Sequence, residues 1–209
     1  MFLTKRTLCI YFSYLAILCV VILQPIDANA QELKEFGLKA GLNFSNIYGK
    51  DKEETSLTTG IIAGAFVLFG LTDRFSLVPE IYYTQKGFKS SNVDIITTLD
   101  YLEFSFLGNY ELPTDRDIKV NIFAGPAVDL KLRSRIKTTI DNVSQESTLD
   151  NVTRFDFALI VGGNFSIAAF DGKVLVEPRY TIGFISFDDT AADSELKHSV
   201  FSILIGYSF

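Results

Sequence analysis

The one histidine of the chain, His198, stands beside Ser199 and three residues after Glu195. A histidine positioned to take a proton from a serine is the centre of hydrolytic chemistry. In an extended chain, however, neighbours point to opposite faces, so His198 and Ser199 diverge. Ser202 shares the face of His198 but lies about 13 Å further along at 3.3 Å per residue, beyond hydrogen-bond reach. The expectation for His198 is a solvated strand end rather than a base. Two loop pairs, Asp150-Asn151 and Asp188-Asp189, have calcium-ligating chemistry, although acids clustered in loops are ordinarily hydrated. No metal-ligand spacing, nucleophile motif or phosphate-cradling glycine loop is present, so no cofactor is expected.

Another set of charged residues is distributed singly: Lys39, Glu80, Glu103, Glu111, Asp129, Lys131, Asp156, Glu177 and Arg179. The elements that carry them follow a period of two, the mark of strands whose two faces meet different surroundings. Phe36, Leu38, Ala40, Leu42 and Phe44 are apolar, while Gly37, Lys39, Gly41, Asn43 and Ser45 between them are small or polar. At the other end Phe201, Ile203, Ile205, Tyr207 and Phe209 alternate with Ser202, Leu204, Gly206 and Ser208. Six more strands are read between these, at about 58–70, 75–88, 99–112, 118–133, 154–170 and 173–187. Each is long enough to cross a bilayer, which takes about 9 to 11 tilted residues.

The connections alternate in length. Leu71 to Arg74, Pro113 to Asp117 and the dipeptide Asp171-Gly172 are short, whereas Ile47 to Leu57, Lys89 to Thr98, Ser134 to Thr153 and Asp188 to Lys197 are long. An up-and-down barrel with short periplasmic turns and long external loops has this rhythm. A soluble barrel would turn its apolar faces inwards and put charge outside; here the face opposite the apolar one is mostly small, with isolated acids and bases. The fold expected is therefore all-β, an eight-stranded antiparallel up-and-down transmembrane β-barrel, apolar towards lipid and polar inside, with both ends in the periplasm.

Residues 1–30 read as a secretory signal peptide: Lys5 and Arg6, an apolar run from Leu8 to Leu23, then Ala28-Asn29-Ala30, with cleavage after Ala30. The barrel domain is then 31–209. Both cysteines, Cys9 and Cys19, fall in the leader, which leaves the barrel without disulfides or thiolate metal sites. The chain has 19 basic and 25 acidic residues; without Lys5, Arg6 and Asp27 these become 17 and 24, a formal charge of −7. Nucleic acid is not an expected partner.

Several segments carry a resemblance. Residues 36–45, the run Pro79-Glu80-Ile81-Tyr82-Tyr83-Thr84-Gln85-Lys86-Gly87-Phe88, Leu99-Asp100-Tyr101-Leu102-Glu103, Phe123-Ala124-Gly125-Pro126 and Glu177-Pro178-Arg179-Tyr180 together resemble the small outer-membrane β-barrel family labelled porin family protein, typical of Bacteroidota. After Glu103 the chain departs from it, with Phe104-Ser105-Phe106-Leu107 replacing an Ile-Pro-rich run. The resemblance implies a bacterial outer-membrane barrel over residues 36 to 209. The pore in the label follows barrel shape rather than a shared activity.

Eight strands enclose a space that side chains fill, so the charged set listed above is expected to form a salt-bridged plug in the lumen. The tyrosines and phenylalanines near strand ends, among them Tyr83, Tyr101, Tyr110 and Tyr207, suit interfacial girdles. Tyr207 and Phe209 resemble the C-terminal signal read by the outer-membrane assembly machinery. The leading expectation is a non-enzymatic structural or surface-interaction barrel whose partners are outer-membrane lipid, that machinery and an external loop ligand, the polar stretch from Ser134 to Thr153 being the contact surface. A narrow pore or carrier for small molecules is second, and a lipid-modifying enzyme third.

Overall fold

The computed structural model describes residues 32–48, 55–90, 95–114, 117–140, 143–148, 155–184 and 197–209. The expected leader with Ala28 and Ala30, the acidic pairs at 150–151 and 188–189, and Glu195 lie outside these residues. Among the described residues every regular element is a strand: β1 (Glu32–Tyr48), β2 (Thr55–Ser56), β3 (Thr58–Gly70), β4 (Phe75–Ser90), β5 (Ile95–Leu112), β6 (Ile118–Ile140), β7 (Val143–Thr148), β8 (Phe155–Ala169), β9 (Gly172–Gly183) and β10 (Lys197–Ser208). Eight of them form a ring in the order β4, β3, β1, β10, β9, β8, β6, β5, closed by the pairing of β5 with β4. The first and last strands meet antiparallel from Gly37 opposite Ser208 to Tyr48 opposite Lys197. Closure leaves no edge in the ring, so every strand has a hydrogen-bonding neighbour on each side.

The faces follow the alternation. Leu38 and Ile205 are more than three-fifths exposed on the outside, while Lys39, Asn43, Ser202 and Leu204 on the adjoining positions are buried. Inside is not polar throughout, however. Phe66, Val78, Leu107, Phe123, Ile160 and Leu175 point inwards and pack together. Period two could not assign these, because segments such as Ala65-Phe66-Val67-Leu68 are apolar on both faces. Tyr101 is likewise buried inside and belongs to no girdle.

Several connections differ from expectation. From Lys89 to Thr98 the chain is mostly strand, with β4 running on to Ser90 and β5 starting at Ile95, and β9 ends at Gly183. The stretch from Ser134 to Thr153 is largely a β-ribbon, since β6 runs on to Ile140 and β7 returns along it from Val143 to Thr148. Polar and charged residues fall at both parities along it, so its sequence shows no hydrophobic alternation and reads as loop; the β-branched Ile136, Thr138, Thr139, Ile140 and Val143 are what favour a strand. The tight turn is Phe170-Asp171, one residue earlier than expected, because Ala169 and Gly172 are the last paired residues. Phe170 takes the left-handed backbone, φ 55°. Gly172 serves the strand instead, since a Cβ there would lie 2.0 Å from the carbonyl oxygen of Ser208.

Candidate functional site

The inward positions of β1, β4 and β9 bring Lys39, Glu80, Glu177 and Arg179 together across the lumen. Lys39 Nζ donates to Glu80 Oε1 and to Glu177 Oε2, each at 2.7 Å. Arg179 reaches both acids as well: Nε donates to Glu177 Oε1 at 2.7 Å, NH2 bonds the same oxygen, and NH1 lies 3.1 Å from Glu80 Oε2. Glu80 also accepts from Ser105 Oγ at 3.0 Å and Tyr82 Oη at 3.3 Å. The guanidinium sits between the rings of Tyr82 and Phe123, 5.0 and 5.7 Å from their centroids. Two cations and two anions thus neutralise one another out of water, the arrangement that makes buried charge tolerable.

A second cluster lies nearer the long connections. Glu103, Asp129 and Asp156 stand in register across β5, β6 and β8. Lys86 Nζ bridges two of them, 2.5 Å from Asp129 Oδ2 and 3.2 Å from Glu103 Oε2, and lies 5.5 Å from the centroid of Tyr101. Lys131, half-buried, stands opposite Tyr101. Between the clusters Asn43 donates to Thr84 Oγ1 at 2.7 Å and accepts from Ser202 Oγ at 2.8 Å.

Lys86 is absent from the charged set read in the sequence, although its signal was there: it shares the parity of Glu80 on one strand. Glu111 does not join either cluster. It keeps the inward parity but sits at the rim, its side chain 38% exposed, paired with Lys119 at 3.0 Å. His198 is no solvated strand end: it is 1% exposed and packs edge-on against Tyr101, ring centroids 6.1 Å apart. β10 turns it into the lumen, on the same face as Ser202. Ser199 faces the other way, its Oγ 2.5 Å from the Tyr180 hydroxyl, and Ser202 is engaged with Asn43, so the three do not assemble.

A family model described as outer membrane protein beta-barrel domain matches residues 29–189. The chain belongs to that family. No curated protein sequence matches this outer-membrane barrel. Among solved structures it is similar to Ail, the attachment invasion locus protein of Yersinia pestis, at 13% identity over 85% of this chain and 100% of that one, TM-score 0.46. It is also similar to Neisserial surface protein A, at 13% over 84% and 99%, TM-score 0.48. The outer membrane protein OprG of Pseudomonas aeruginosa gives 12% over 88% and 99%, TM-score 0.47.

Proposed function

We propose that this outer-membrane barrel is a non-enzymatic scaffold with a closed lumen, whose external segments make its contacts. The observation that carries this reading is the filled cross-section: the Lys39, Glu80, Glu177 and Arg179 quartet is buried and adjoins the apolar layer of Phe66, Val78, Leu107, Phe123 and Leu175, with Phe123 and Phe66 touching its two cations. A hydrated ion would have to break these pairs and cross an apolar layer with no replacement for its water. The start of β1 and the end of β10 lie with the short turns, the periplasmic side in an up-and-down barrel, and this supports reading the ribbon of β6 and β7 as external. In planar bilayers the purified protein is expected to show no steady conductance. A steady conductance altered by Glu80→Ala or Arg179→Ala would overturn the closed lumen in favour of a narrow pore.

The terminal strand supports a contact with the assembly machinery. Phe209 stacks on Phe36 at 5.4 Å and meets Tyr207 edge-on at 4.9 Å, so the last residue is displayed on the outer face at the closing seam. Deleting Phe209 is expected to lower the amount of inserted protein in cells, measured by quantitative blotting of outer-membrane fractions; normal insertion would remove Tyr207 and Phe209 from that role.

A further inference from the structure

The outer wall formed by β4, β5 and β6 changes character within a single row. Tyr83, Leu102 and Leu130 stand in register, and above them come Gln85, Asp100 and Arg133. Below this step the wall is apolar, with Ile81, Phe104 and Phe106 exposed; the hydrocarbon therefore ends here. The register between β5 and β6 shifts at this level, Asp100 facing Arg133 while Tyr101 faces Lys131. The extra residue, Leu132, is a β-bulge, and it reverses which face the odd positions of β6 occupy. Arg133, Arg135 and Lys137 consequently all point outwards, in rows with Asp100, Thr98 and Ile96, the last also beside Lys89.

Among the described residues, two acidic positions fall on the same face. Asp100 is buried and holds Arg135 at 3.1 Å, while also accepting from Gln85 at 3.1 Å; Glu146 stands opposite Lys137. Cations outnumber them on a chain whose overall charge is −6. Arg135 is oriented by Asp100, and its side chain remains 36% exposed. Arg133 and Lys137 are exposed. A fixed, partly exposed guanidinium flanked by further cations at headgroup depth matches the phosphate of a membrane lipid.

We propose that Arg133, Arg135 and Lys137 form a binding site for the phosphorylated headgroup of an outer-leaflet lipid, on the lipid-facing wall of β4 to β6. The bulge at Leu132 creates it. The site rests on the reading of the long-connection end as external, which is tested separately by labelling Ser147→Cys in intact cells with an impermeant maleimide.

The binding test uses the full barrel in detergent micelles, titrated with lipid A, with phosphatidylcholine or with inorganic phosphate, and read by native mass spectrometry. Lipid A is expected to be retained by the wild type, and Arg133→Gln/Arg135→Gln/Lys137→Gln to bind it at least about tenfold more weakly. Lys119→Gln, on the opposite rim, should bind as wild type. Equal retention by the triple variant, equal retention of phosphatidylcholine by the wild type, or occupancy by inorganic phosphate without lipid would each overturn the assignment. Should the triple variant fail to fold, Arg133→Gln and Lys137→Gln singly, both at exposed positions, decide together with the wild-type lipid comparison.

Discussion

Replacing Arg179 with methionine is expected to cost the barrel about 3–5 kcal/mol, the penalty of stripping one partner from a buried ion network. Arg179 contacts both Glu80 and Glu177. Without it Lys39 alone faces two carboxylates, neither of which reaches water. The loss comes from that uncompensated charge more than from the missing bonds, and this makes a sharper expectation possible. Arg179→Met/Glu80→Gln restores one cation to one anion and should recover about 1–3 kcal/mol relative to Arg179→Met alone. Urea titration in lipid vesicles, followed by the gel mobility that separates folded from unfolded barrels, measures both. If the double variant is as unstable as the sum of the two single ones, the four groups do not act as a unit.

Ile203→Arg should cost about 2–4 kcal/mol, the penalty for a cation facing lipid at the bilayer midplane. Ile203 is 43% exposed on the outer face, in the middle of β10 and in register with Leu42 and Pro178. Leu33→Arg, near the start of β1, should cost only about 0–1 kcal/mol because it lies by the interface. The sign discriminates strongly: on a barrel in water, replacing an exposed isoleucine by arginine is close to neutral. The same urea titration in vesicles serves, and a flat profile along the outer face would argue against a lipid-facing wall.

Local pattern carried the outline of this molecule. In β1 and β10 each residue's face follows from counting by two, because a strand exposes alternate side chains to lipid and lumen, and Leu38, Lys39, Ser202 and Ile203 lie where that count puts them. The rule lost its grip where its cause is missing. The ribbon of β6 and β7 has polar residues at both parities, and β3 has apolar residues at both, so neither shows a contrast. At Leu132 one extra residue reverses the face of everything after it, and no local preference announces a bulge.

By itself, then, the sequence determined eight crossing strands, their apolar outer faces and charged residues turned inwards. Which charges meet was decided only by the closed barrel. Lys39 finds Glu80 and Glu177 across 41 and 138 positions, His198 comes to rest against Tyr101, and Glu111 stays at the rim with Lys119. Those partners depend on the tilt and stagger of strands around the ring, quantities set by all eight strands together and encoded in no single one.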